Sequence, residues 1–236
     1  MFIKVLYDEK GRRGFRTGKG FSCLIAGKIL FDTGDDAESL LDNMSRMKVN
    51  IGQIKAVVVS HDHWAHTGGM WEILRKKKRC KVYGCPKFSD EFKNCVKELG
   101  SKLILSEKVT EVDKGIYVTG EVGAAYRGKY IAEQALVVKG KKGISIMTGC
   151  AHPGIVRIVK NVKRKFEKEK IYMVLGGFHI GDVERSKIEK IISDFRELKV
   201  EKAGPSHCAG DKAIRIFRGR YGKNFVQVKA GSVIEV

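Results

Sequence analysis

Proline is scarce in this chain, with three in 236 residues, and no Ser/Gly-rich tract accompanies them. Nothing therefore reads as a linker between tethered domains, and one domain spanning residues 1–236 is expected. The six cysteines include no C-x-x-C pair, which argues against a zinc ribbon. No apolar run approaches the ~20 residues of a membrane span. The opening stretch, Met1 to Asp8, has no signal-peptide apolar region and soon turns polar. A cytoplasmic protein with reduced thiols and no membrane partner is the expectation.

Acidic residues are also in short supply. The 27 Asp and Glu face 46 Lys and Arg, leaving a formal net charge of +19. A field of that sign attracts phosphates, nucleic acid or acidic membranes. The basic residues are scattered, however, as in Arg75 to Arg79, Lys139 to Lys142 and Lys160 to Lys170. Aromatics do not alternate with them as a single-strand binding groove would need. The pattern suits a lysine-rich solvated surface of the kind hyperthermophile proteins show. Nucleic acid is thus a partner the sequence allows but does not favour. Hydrophobic residues, at 43%, are enough for a substantial core.

Histidine is used sparingly and pointedly. All six fall in four short motifs: His61, His63 and His66 in V-V-V-S-H-D-H-W-A-H-T-G-G, His152 in M-T-G-C-A-H-P-G, His179 in V-L-G-G-F-H, and His207 in G-P-S-H-C-A-G. Each motif follows a strand-like apolar run and precedes a helical stripe. Ile54 to Ser60 is a β-branched run, apolar on both faces, that ends on His61. Gly143 to Thr148 ends before Cys150 and His152, and Ile171 to Leu175 before His179. Helical spacing recurs at Leu40/Leu41/Met44/Met47, Ile155/Ile158/Val159/Val162/Phe166, Ile188/Ile191/Ile192/Phe195/Leu198 and Ala213/Ile214/Phe217. A closing strand pair is expected at Phe225 to Val228 and Ser232 to Val236. Residues 79–130 carry no histidine and read as sheet and helix that shape the pocket. Loops at the carboxyl ends of strands are where α/β folds place their sites, and neutral imidazole is the commonest metal-binding side chain. A metal centre assembled from distant segments is the expectation. Cys150 and Cys208 are the two cysteines that stand beside motif histidines.

At Ser60 to Gly69 the chain resembles the H-x-H-x-D-H signature of the metallo-β-lactamase superfamily, and Phe31-Asp32-Thr33-Gly34 is similar to its first motif. The motifs T-G-C-A-H-P-G-I-V, G-G-F-H and P-S-H-C-A-G, with Glu133 to Val138, resemble the 7,8-dihydropterin-6-yl-methyl-4-(β-D-ribofuranosyl)aminobenzene 5′-phosphate synthase-like branch. The resemblance runs from about Leu24 to the C-terminus. It implies an α/β fold, an αββα sandwich of two mixed sheets flanked by helices. It also implies that His61, His63 and His152 hold a first metal, and His66 and His207 a second. Asp32 would serve the chemistry by orienting the ligand loop. His179 would stand at the rim of the cleft, contacting substrate or solvent rather than metal.

The signature's Asp is Ala65 here. A methyl group cannot replace a carboxylate ligand, so three readings stay open. The second site is weak or empty, Asp62 or Cys150 substitutes, or hydrolytic chemistry has been lost while the fold is kept. The leading expectation is a metal-dependent hydrolase-like enzyme or related transferase. It would turn a metal-bound hydroxide on a small anionic substrate, phosphorylated or ester, pterin-related if the branch is a guide. Lysines and arginines such as Arg157 would accept the anion. Zinc is the expected ion, one firmly bound, with Mn or Fe as alternatives. The rivals are a binding or regulatory protein with a degenerate site, and a nuclease.

Overall fold

The computed structural model describes residues 1–126 and 128–236. The N-terminal half runs β1 (Phe2–Tyr7), β2 (Ser22–Ile25), β3 (Ile29–Phe31), α1 (Ala37–Arg46), β4 (Ala56–Val58), α2 (Trp64–Thr67), α3 (Met70–Lys76), β5 (Lys81–Gly84), α4 (Asp90–Glu98) and β6 (Lys102–Leu105). The rest comprises β7 (Thr110–Asp113), β8 (Ile116–Val118), β9 (Val122–Tyr126), β10 (Lys129–Glu133), β11 (Leu136–Gly140), β12 (Gly143–Thr148), α5 (Ile155–Lys165), β13 (Ile171–Gly177), α6 (Arg185–Glu197), β14 (Lys202–Ser206), α7 (Gly210–Tyr221) and β15 (Val233–Glu235).

The strands form two large mixed sheets, ordered β15-β1-β2-β3-β4-β5-β6 and β14-β13-β12-β11-β8-β7, plus a β9–β10 ribbon. Each sheet changes from antiparallel to parallel part-way across. In the first, β3, β4, β5 and β6 run parallel. In the second, β12, β13 and β14 do. Antiparallel neighbours need only a turn, whereas parallel ones need a helical crossover. That is why α1, α5 and α6 lie where they do in the chain.

Period-two alternation divides the apolar residues among three layers. Cys23, Ile25, Ile29, Phe31, Ala56 and Val58 face Leu136, Val138, Met147, Met173 and Leu175 between the sheets. Leu24, Leu30 and Val57 point the other way, onto Leu40 and Met44 of α1 and Met70, Ile73 and Leu74 of α3. Val137, Ile144, Ile146 and Val174 meet α5, α6 and α7 through Ile158, Val162, Ile192 and Phe217. Helix, sheet, sheet and helix thus share three apolar seams. The central seam explains why β4 and β13 lack polar alternation, being covered on both faces.

One expectation fails. Phe225 to Val228 is not a strand; it makes a single bridge, from Phe225 to Ala203. The segment touches the edge of the second sheet, while β15 crosses to pair with β1 in the first. Two segments bound for different sheets cannot pair with each other.

Candidate metal centre

The site lies where the carboxyl ends of the parallel strands of both sheets meet. From the first sheet, β3 delivers Asp32 and β4 runs through Val59 and Ser60 to His61 and His63, with His66 on the short α2. From the second, the adjacent ends of β12, β13 and β14 deliver Cys150 and His152, His179, and His207 and Cys208. Neighbouring strands in a sheet are spaced ~4.8 Å apart, which sets side by side residues far apart in sequence.

The imidazoles are in mutual contact. Ring centroids are 4.2 Å apart for His61 and His66, 4.7 Å for His61 and His152, and 4.8 Å for His61 and His63. The His66–His207 separation is 5.3 Å, and His152–His179 is 4.7 Å. Cys150 is the hub. The ligand atoms of His61, Cys150 and His152 lie within 4.8 Å of one another, and so do those of His66, Cys150 and His207. His63, exposed at the mouth, borders the first group at 5.2 Å from His152. Asp62 is not part of either. Its carboxylate accepts from the Ser89 backbone N–H at 2.7 Å, which ties the loop to the start of α4.

Outer hydrogen bonds fix the rings. Asp32 is fully buried and accepts from the Ser60 N–H, the Ser60 hydroxyl and His66 Nδ1, each at 2.7 Å. His61 Nδ1 lies 2.9 Å from Ser60 Oγ. His207 Nδ1 lies 3.2 Å from both the Gly20 N–H and Glu9 Oε1. Glu133, fully buried, accepts from the backbone N–H groups of Cys150, Ala151 and His152 and from His152 Nδ1 at 3.0 Å. Burial alone would raise this carboxyl, but the His152 ring and the backbone donors outweigh it and hold it below its usual range. Gln134 ties the same strand end to the first sheet, donating to Val59 O and Tyr83 O. Glu133 and Gln134 carry no signal of their own in the sequence beyond membership of a motif. A Glu on a β-strand becomes a ring clamp only when another loop folds onto it.

The electrostatics favour neutral rings. Burial, followed by the adjoining imidazoles, holds His61 well below its ordinary value, and the same causes lower His63. Metal ligation requires that neutral form. His61 Nε2 is buried and has no hydrogen-bond partner. A bare buried polar atom costs about 1–3 kcal/mol, and a cation at the centre of the cluster would satisfy it. Imidazoles with one thiol form a donor set suited to a divalent transition metal.

A sequence profile of the metallo-β-lactamase superfamily matches residues 18–220. The chain belongs to that superfamily. It is 29% identical to the 7,8-dihydropterin-6-methyl-4-(beta-D-ribofuranosyl)-aminobenzene-5'-phosphate synthase of Methanocaldococcus jannaschii, across 89% of this chain and 85% of that protein. The crystal structure of Tm1679, a metal-dependent hydrolase of the β-lactamase superfamily, superposes with a TM-score of 0.84 at 30% identity. That match covers 100% of this chain and 99% of the other. The metallo-β-lactamase fold protein YhfI of Bacillus subtilis shares the fold, with a TM-score of 0.71 at 13% identity over 99% of both chains. Metallo-β-lactamase proteins are commonly metal-dependent hydrolases and typically bind metal ions.

His179 is half-buried beside the cluster. Its ring packs against His152 and Tyr126, the latter at 5.1 Å, and its Nδ1 is buried without a hydrogen-bond partner. Its backbone N–H donates to Cys208 Sγ at 3.3 Å. Beyond His63 the centre opens into a cleft of about 540 Å³ lined by Lys87, Tyr126, Lys129 and Tyr130. Lys87 Nζ stands 4.4 Å above the Tyr130 ring. Arg157 lines a separate groove with Lys160 and Arg164 on the outer face of α5.

The strand ends are packed to the backbone. A Cβ on Gly177 would fall 2.0 Å from Gly149 O and 2.8 Å from Cys208 Sγ. Gly177→Ala is therefore expected to lose about 1–3 kcal/mol or more by overpacking. A denaturant melt of the variant measures this, and an unchanged midpoint would contradict the packing described.

No described helix is long and apolar enough to cross a membrane.

Proposed function

We propose that this chain is a metal-dependent hydrolase, or a related transferase, acting on a small anionic substrate that bears a phosphate or ester. The observation that carries the reading is Cys150. Its sulfur belongs both to the group with His61 and His152 and to the group with His66 and His207. A thiolate there supplies the anionic donor that Ala65 removes from the signature, which favours Cys150 over Asp62 as the substitute ligand. It also argues against an empty second position. Zinc suits the nitrogen and sulfur donors best, with Mn or Fe as alternatives.

Ions bound here would supply Lewis acidity and an activated water. The chain's own residues do the rest. His61, His63 and His152 would hold one ion, and His66 and His207 the other, with Cys150 between them. Asp32 and Glu133 would keep the ligating nitrogens of His66 and His152 unprotonated by accepting a hydrogen bond from the proton held on Nδ1. His179 flanks the reacting region. Lys87 and Lys129 would accept the anionic group, and Tyr126 and Tyr130 offer flat faces to a planar one. The synthase relative bears a pterin and an aminobenzene phosphate in its name, which fits such a cleft. On this reading residues 1–236 act as one unit, 79–130 build one wall of the cleft, and the reduced thiols suit the cytoplasm.

The test is metal analysis of protein purified without chelator, followed by assays with bis(4-nitrophenyl) phosphate and 4-nitrophenyl esters. The expected result is bound zinc, manganese or iron, and turnover that a chelator abolishes and the ion restores. Protein that holds less than one ion per chain after reconstitution, with no chelator-sensitive turnover, would refute the reading.

A further inference from the structure

Cys208 has no part in the reading above, yet it occupies a built position. Its sulfur rests over Gly177, where any side chain would displace it. It receives the His179 N–H at 3.3 Å and lies 3.6 Å from Cys150 O. The residues around it hold uncommon backbone: Ala151, His179 and His207 have φ of 62°, 51° and 48°, left-handed values that strain a non-glycine residue. Strain of this kind persists only where the surroundings over-determine it. Here it turns three strand ends toward one point. The ligand atoms of Cys150, His179 and Cys208 lie within 4.8 Å of one another. His179 Nδ1 is buried with no hydrogen-bond partner.

We infer that Cys150, His179 and Cys208 form an additional metal position selective for a thiophilic ion of the Zn²⁺, Cd²⁺ or Cu⁺ type. Two sulfurs and one imidazole are a soft donor set, whereas Mn²⁺ and Mg²⁺ favour oxygen. The position shares Cys150 with the group formed by His66 and His207, which offers one sulfur and two nitrogens. A soft ion is therefore drawn toward Cys208 and a harder one toward His66 and His207. The nature of the available metal would decide which arrangement the centre adopts. The inference rests on the reading that Cys150 is a ligand, and its test reads sulfur ligation rather than turnover.

The experiment titrates Cd²⁺ into the metal-stripped, reduced full-length chain. It follows sulfur-to-metal charge-transfer absorption in the near ultraviolet and the ¹¹³Cd resonance, which moves downfield with each added sulfur donor. The wild type is expected to show a resonance for two-sulfur ligation. Cys208→Ser should lower the charge-transfer intensity about twofold and shift the resonance upfield. His179→Ala should weaken Cd²⁺ binding by at least the roughly 10–100-fold that loss of even an outer partner brings. Circular dichroism checks that each variant is folded, and the wild-type resonance alone reports the sulfur count if one is not. A wild-type resonance for a single sulfur, or a Cys208→Ser spectrum identical to wild type, would overturn the inference. Cys150→Ser separates the two readings. If it alone removes the sulfur signal, the shared ligand stands and the Cys208 position falls. Absent hydrolysis with an intact two-sulfur signal would instead refute the hydrolase reading.

Discussion

Asp32→Ala is expected to cost about 3–5 kcal/mol of stability, the range for stripping one partner from a buried charged network. The carboxylate is fully buried and accepts from Ser60 twice and from His66 once. Alanine leaves all three donors in a dry interior, and each unpaired donor costs about 1–3 kcal/mol. Some of this will be recovered where water enters or a side chain turns. Asp32→Asn separates stability from metal binding. Its amide can still accept from the Ser60 N–H, but its NH₂ would donate where Asp32 accepts. His66 Nδ1 would then become the acceptor, which moves the ring proton to Nε2, the nitrogen that faces Cys150 at 3.2 Å. Affinity at the position of His66 and His207 should fall about 10–100-fold, as for other outer-partner losses. Denaturant melts and competition with a chromogenic chelator measure the two effects. Wild-type metal affinity in Asp32→Asn would show that Asp32 does not set the His66 tautomer.

Cys150→Ala should have the larger effect on activity. The sulfur is common to both ligand groups and is the one donor in either that would bring a negative charge once a metal displaced its proton. Without it, neutral imidazoles alone would face any pair of dications held there, with no anionic donor in direct contact. The expected result is loss of at least one ion per chain and a fall in kcat of order 10²–10³, comparable to removing one preorganised electrostatic contact from an active site. Cys150→Asp restores an anionic donor and should recover part of the activity, with preference moving toward Mn, a harder ion. Metal analysis and steady-state kinetics of the two variants decide the matter. Full metal content in Cys150→Ala would return the second position to His66 and His207 alone.

Much of this architecture was legible in the residues. The run from Ile54 to Ser60 reads as a strand covered on both faces because four consecutive apolar side chains, Ala56 to Val59, leave neither face to water. The four helical stripes place Leu40, Ile158, Ile192 and Phe217 inward by spacing alone, and all four are buried. The position of each histidine after such a run was equally plain, since glycine beside it marks where the backbone turns.

Other features depended on the fold. Sequence spacing cannot say that β12, β13 and β14 are parallel neighbours, or that the end of β4 in the other sheet faces them. Those relations bring Cys150, His179 and Cys208 within reach of one another and make Glu133 the clamp on His152. They also commit Asp62, adjacent to two histidines in sequence, to the Ser89 backbone instead of the centre. Local order along the chain determined which residues sit at strand ends, because hydrophobic periodicity acts over a few residues. Which strand ends share an edge was decided by the packing of two sheets through a common apolar seam, a long-range free energy that no single segment carries.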